Sequence, residues 1–110
     1  MENVHKVIIV EGKTDREKVQ RVLREPVLII CTHGTIGLEK LDELVERIES
    51  FDVYLLMDRD EAGKKLQKLL QHELLNSTII QIPAIYKEVA LTPEKELREI
   101  LQKKHFLTNK

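Results

Sequence analysis

Three carboxylates stand where acids do chemistry: Glu11, Asp58 and Asp60. Glu11 ends the apolar run Val7-Ile8-Ile9-Val10 and is followed by Gly12. Asp58 ends Val53-Tyr54-Leu55-Leu56-Met57 and is followed by Arg59 and Asp60. Short unbroken runs of apolar residues, rich in branched side chains, read as strands buried on both faces, as in a parallel sheet. Open α/β sheets bind their ligands beyond the carboxyl ends of the strands. Carboxylates gathered there raise one another's pKa, and a divalent cation removes that penalty. One or two carboxylates completed by waters is the Mg²⁺ pattern, commonly shared with a substrate phosphate. No His/Cys pair stands at zinc spacing. Asp60 also suits the N-cap of a following helix, a role compatible with metal ligation. Glu11 has no helix to cap in its own register, so the two acidic strand ends weigh more together than either does alone.

The elements that position these acids alternate along the chain. A helix is expected over Lys13 to Glu25, with Thr14 and Glu17 as a capping box, an apolar stripe of Val19, Val22 and Leu23, and Pro26 closing it. Val27 to Cys31 is a second buried strand, emptying into Thr32-His33-Gly34-Thr35-Ile36-Gly37, a loop with two glycines. Leu38, Leu41, Leu44, Val45 and Ile48 mark a second helix. Asp52 to Met57 is the third strand, and Leu66, Leu69, Leu70 and Leu74 mark a third helix. Thr78 to Ile82 is a fourth strand, Pro83 to Leu91 an irregular loop. The final helix is expected with Thr92 as N-cap and Pro93 at its first position, burying Leu97, Ile100 and Leu101. The order βαβαβαβα implies a three-layer α/β/α, Rossmann-like fold around a four-stranded parallel sheet. If Glu11 and Asp58 are to meet, the first and third strands are neighbours, which selects the order 2-1-3-4.

Composition narrows the classes. The chain of 110 residues is large enough for one core, with 42% hydrophobic and 34% charged residues. Lys and Arg number 18 against 19 Asp and Glu, a net charge of −1, so any surface for nucleic acid must be local. The single cysteine, Cys31, excludes an internal disulfide and reads as a small core residue suited to a reducing compartment. There is no apolar run long enough to span a bilayer, and the first residues do not read as a signal peptide. A cytoplasmic location without membrane partners is expected. Gly12-Lys13-Thr14 looks like the end of a P-loop, but Val7 stands where the earlier glycine is required.

Glu11-Gly12 after the first strand, Gly34 after the second, and Asp58-Arg59-Asp60-Glu61-Ala62-Gly63 after the third resemble the Toprim domain. That domain is shared by topoisomerases, bacterial primases, OLD-family nucleases, RecR-type repair proteins and the ribonuclease that matures small ribosomal RNA. Glu-Gly-Lys-Thr-Asp and Thr-His-Gly are most similar to the ribosomal-RNA maturase branch. The resemblance covers residues 4–90 of a single domain spanning 1–110, with the C-terminal helix over 93–105 outside or at its edge.

The resemblance implies phosphodiester chemistry on DNA or RNA, with Glu11 as acid/base or metal-site carboxylate and Asp58 and Asp60 holding Mg²⁺ or Mn²⁺. Glu61, Gly12, Gly34, Lys13 and Arg59 form an outer ring of candidates. The basic residues Lys13, Arg16, Arg59 and Lys64 would offset phosphate charge, although each taken singly reads as solvated surface. The tyrosine domain of topoisomerases, the further primase modules and the extra domain of the maturase are not found in this sequence. Two readings therefore stay open. One is a stand-alone Mg²⁺-dependent nuclease or nucleotidyl-transfer core. The other is a non-catalytic metal-binding module that binds nucleic acid or a protein partner. A receiver-like signalling domain is disfavoured, because the first strand ends in Glu-Gly rather than an acidic pair.

Overall fold

Period-two alternation sorts the side chains of the first strand onto two faces, and both faces are covered. The computed structural model describes residues 4–33 and 38–110. Its elements are β1 (Lys6–Val10), α1 (Lys13–Val22), β2 (Leu28–Cys31), α2 (Leu38–Ile48), β3 (Asp52–Leu55), α3 (Glu61–Glu73), β4 (Thr78–Ile79) and α4 (Glu94–Lys103). All pairings are parallel and the strand order is β2-β1-β3-β4, the order required for Glu11 and Asp58 to meet. Ile8 and Val10 face Val19 and Val22 of α1 and Leu97 and Leu101 of α4. Val7 and Ile9 face Leu41, Leu44 and Ile48 of α2 and Leu66 and Leu70 of α3. Val7 to Val10 have no exposed surface, which is why β1 carries no polar alternation.

Several boundaries differ from the sequence expectation, each for a tertiary reason. Helix α1 starts at Lys13 with Gly12 as its N-cap, and Asp15, not Glu17, is the reciprocal acid: its Oδ2 accepts the Gly12 N–H at 3.2 Å. The expected Thr14–Glu17 box is therefore displaced by two residues. Helix α1 ends at Val22 instead of Glu25, because the chain from Leu23 pairs with the C-terminal segment. Leu23 bridges Thr108 in antiparallel fashion, and Arg24 N–H donates to the Leu107 carbonyl at 2.9 Å. Strand β3 ends at Leu55 and β4 at Ile79, both short of the expected ends. Pro93, not Thr92, occupies the N-cap of α4. The Thr92 hydroxyl is fully buried and donates to the Glu88 carbonyl at 3.0 Å. The stretch 83–91 is built from two 3₁₀ turns, Ala84–Tyr86 and Val89–Leu91. Among the described residues, no helix is long and apolar enough to cross a membrane.

The last residues fasten the first helix layer to the sheet. Phe106 is 2% exposed and meets Tyr54 of β3 edge to face, with ring centroids 4.7 Å apart. Lys6 lies over the Phe106 ring and pairs with Glu25 at 3.3 Å, and Glu25 Oε2 accepts the Leu107 N–H at 2.6 Å. Phe106→Ala empties a buried ring site and is expected to cost about 3 kcal/mol, whereas Leu107→Ala, at a residue 65% exposed, stays within about 0.5 kcal/mol. Urea melts of the two variants test the assignment, and equal effects would remove Phe106 from the core.

Candidate carboxylate site at the strand ends

The register of the sheet brings the acids together. Ile9 pairs with Leu55, so extending the ladder by two residues sets Glu11 opposite Met57 and one residue from Asp58. Past the strand, Glu11 stays anchored: its carbonyl accepts the His33 N–H at 2.8 Å, and Val10's accepts that of Thr32 at 3.0 Å. The side chains of Glu11 and Asp58 stand within hydrogen-bonding reach of each other, a closeness that a proton shared between the two carboxyl groups, or a bound cation, relieves. Asp58 Oδ1 also accepts the Val89 N–H at 2.8 Å, which ties the 83–91 segment to the site. Asp60 caps α3, its Oδ1 accepting the Gly63 N–H at 2.7 Å.

Gly63 has a steric reason. A Cβ there would overlap the Asp58 carbonyl oxygen and lie 2.8 Å from its carbon, so only glycine lets α3 start against the Asp58 backbone. At Gly12 a Cβ would meet only Asp15 Oδ2, at an ordinary 3.6 Å, and the backbone is extended.

The electrostatics follow from this crowding. Burial, the contact with Asp58, and then the charges of Asp58, Asp60 and Asp15 push the Glu11 carboxyl up to about 8. Burial and the Asp58 charge also raise Asp15, with the Gly12 N–H bond pulling the other way. Asp15 is 7% exposed; from the sequence it is quoted only within Glu-Gly-Lys-Thr-Asp and assigned no role, although its place three residues after Gly12 is a capping signal. Lys18, also missed, is buried beside it and donates to the Ala90 carbonyl at 2.8 Å. Burial and then Arg21 hold its pKa below the ordinary lysine value.

The outer candidates divide. Gly12 adjoins Glu11, and Lys13 is the exposed first residue of α1. Arg59 does not turn its guanidinium wholly to the acids: Nη1 donates to the Ile82 carbonyl at 3.1 Å. Glu61 is the exposed first residue of α3, and its charge is not among those acting on Glu11. Gly34 lies outside the described residues. Among the described residues, no three His, Cys, Asp or Glu side chains already enclose one cation position. Glu11 and Asp58 form the close pair, and Asp60 contributes its charge from the helix start.

The Toprim domain family model matches residues 6–86. The uncharacterized protein YusF of Bacillus subtilis is 45% identical over 101 residues, which cover 92% of this chain and 69% of that one. Ribonuclease M5 of Mycoplasma genitalium is 38% identical over 71 residues, 64% of this chain and 39% of that one. Ribonuclease M5 of Mycoplasma capricolum is 33% identical over 84 residues, covering 72% and 47%. The chain thus spans less than half the length of either ribonuclease. The solved structure of a small TOPRIM domain protein from Bacillus stearothermophilus superimposes with a TM-score of 0.93 at 44% identity, over 96% of this chain and 90% of that one.

Two outcomes test the geometry. Glu11 keeps its proton in the fold up to about pH 8, against the ordinary value of 4.5 for the unfolded chain. The folded state therefore binds more protons than the unfolded state between those values, and stability falls as pH rises through that window. Urea melts in EDTA should show this decline in the wild type and a flatter profile in Glu11→Gln; identical profiles would refute the proton-sharing pair. Separately, Gly63→Ala should lose about 1–3 kcal/mol of stability through overpacking, while Gly12→Ala melts within about 0.5 kcal/mol of wild type. The reverse ranking would contradict the steric assignment.

Proposed function

This chain belongs to the Toprim family, and from that premise we propose that it carries out metal-dependent phosphodiester chemistry on nucleic acid as a nuclease or nucleotidyl-transfer core. The observation that carries the reading is the contact of Glu11 with Asp58 at the ends of neighbouring central strands. The similarity to two Ribonuclease M5 proteins supports a nucleic-acid substrate, and RNA is the first to test.

The donor set fits a hard divalent cation. It consists of carboxylates only, and the repulsion from Asp58, Asp60 and Asp15, which adds to burial in raising Glu11 to about 8, is a penalty a cation removes. Asp58, Asp60 and Glu11 would hold Mg²⁺, with Mn²⁺ as a substitute. Asp58 keeps an oxygen besides the one accepting Val89 N–H, and Asp60 keeps the one not used in its helix cap. The ion supplies neutralisation of phosphate charge and orientation of the scissile group. Glu11 is placed for proton transfer, since its carboxyl stands at the rim against Asp58, where it could accept a proton from the attacking group and return one to the leaving oxygen. The Val89 N–H bond and the Gly63 contact fix the Asp58 loop, so that this acid meets Glu11 without searching rotamers.

A second reading, a metal-binding module acting with a protein partner that supplies the substrate, is favoured by one observation. The chain covers only 39% and 47% of the two ribonucleases. One experiment separates the two. Structured and single-stranded RNA and DNA are incubated with the purified protein with and without Mg²⁺ or Mn²⁺. Metal-dependent cleavage, lowered at least a hundredfold (about 10² or more, the range of acid/base contributions) by Glu11→Gln and abolished by Asp58→Asn, supports the enzyme. Cleavage that survives both substitutions comes from a contaminant. Without cleavage, a melting temperature raised by millimolar Mg²⁺ in the wild type but not in Asp58→Asn supports the binding module.

A further inference from the structure

Outside the carboxylate site, the open side of the sheet carries a cleft that neither the proposed chemistry nor the family match accounts for. It is about 620 Å³ in volume and is floored by Ile79, Ile82, Pro83 and Ile100, with Arg59, Gln81, Lys103 and Lys104 around it. Its lining holds three cations and, among the described residues, no carboxylate. Among the described residues none of the three is salt-bridged, the ion pairs there being Lys6–Glu25 and Arg21–Glu94. Glu96 and Glu99 belong to the adjoining hollow on the outer face of α4, where Lys95 and Lys103 accompany them and Glu96 accepts the Tyr86 hydroxyl. The basic character is thus confined to the side facing β4.

The cleft also has a direction. At one end Arg59 directly follows Asp58, and its guanidinium is held over the rim by the Ile82 carbonyl. At the other end, Lys103 and Lys104 close α4, and the next residue, His105, offers its carbonyl to Lys6 at the start of β1 at 3.0 Å. The cleft therefore runs along β4 from the catalytic rim to the amino end of the sheet. Lys103 and Lys104 both lie beyond the family match, which ends at Tyr86.

Resting on the function proposed above, we propose that this cleft is the track for the phosphate backbone of the nucleic-acid strand engaged at the Glu11–Asp58 site, with Arg59, Lys103 and Lys104 as its phosphate contacts. Charge complementarity names the occupant: a polyanion is the ligand that a cleft lined by three cations, with no carboxylate among the described residues of that lining, would select. The chain's net charge of −1 makes such a local stripe the means of holding nucleic acid at all. The apolar floor accommodates sugar faces, and the phosphate contacts position a strand without reading its sequence.

The test measures binding of a labelled hairpin RNA with a single-stranded tail, and of the DNA equivalent, by anisotropy across a salt series. Lys103→Gln/Lys104→Gln should weaken binding about tenfold and lower the slope of log Kd against log salt by about 1.4, two contacts at about 0.7 each. Lys40→Glu/Arg47→Glu, on the opposite helix layer, should leave both unchanged. Lys103→Gln alone, at an exposed position, gives about half the slope change and guards against misfolding of the double variant. Tight binding to wild type that the glutamine variants leave intact would overturn the track while sparing the function. Absence of nucleic-acid binding by the wild type would overturn both. Loss of a dimer in sedimentation on the same substitutions, with binding untouched, would assign the cleft to a second copy and overturn the proposal.

Discussion

The molecule is arranged around two carboxyl groups that ordinarily repel. Glu11 and Asp58 end the two central strands, and their contact is tolerable because Glu11 retains a proton up to about pH 8. Neither side chain could withdraw easily. Parallel pairing of β1 with β3 fixes the backbones on each side, and Val7 to Val10 are completely buried between two helix layers. The cost of the pair is thus imposed by the sheet and covered by its hydrophobic core, the usual relation between a functional strain and the scaffold that sustains it.

Legibility in the sequence followed the range of each interaction. Unbroken apolar runs announced the strands because burial on both faces is a local compositional demand, and the acids were visible as abrupt ends of those runs. Strand order was recovered by requiring Glu11 and Asp58 to meet, a constraint from chemistry instead of propensity. What escaped notice depended on partners distant in sequence. Leu23 leaves the helix because Thr108 pairs with it, and Thr92 turns inward because the Glu88 carbonyl is there. Asp15 stands in the sequence only as the last residue of the Glu-Gly-Lys-Thr-Asp stretch, and only the fold reveals it at 7% exposure beside the acids. The Thr14–Glu17 pair imitated a helix start that the chain places two residues earlier.

The two motif glycines illustrate how one residue type answers different constraints. Gly63 is demanded by packing, since α3 begins against the Asp58 backbone with no room for a methyl group. That closeness is what allows one short turn to present Asp58 to Glu11 and Asp60 to the helix start. Gly12 is under no such pressure, as its extended backbone and free flank show. A glycine after a strand end is therefore no proof of strain, and the structure has to decide case by case.

Charge distribution completes the argument. An acidic rim alone would repel a phosphate backbone, so acids at the strand ends work on nucleic acid only if positive charge is brought to them. A divalent cation meets that need at the reacting group, but it cannot retain the rest of the strand. Arg59 stands at the junction: its neighbours in sequence are the two aspartates, while its guanidinium reaches Ile82 at the mouth of the basic cleft. The same turn that sets the carboxylates thus also orients the first cation of the proposed track. With three cations lining the cleft, the near-neutral chain carries two opposed fields, acid at the rim and base beside β4, and a polyanion is the ligand that such a pair of fields would draw across the site.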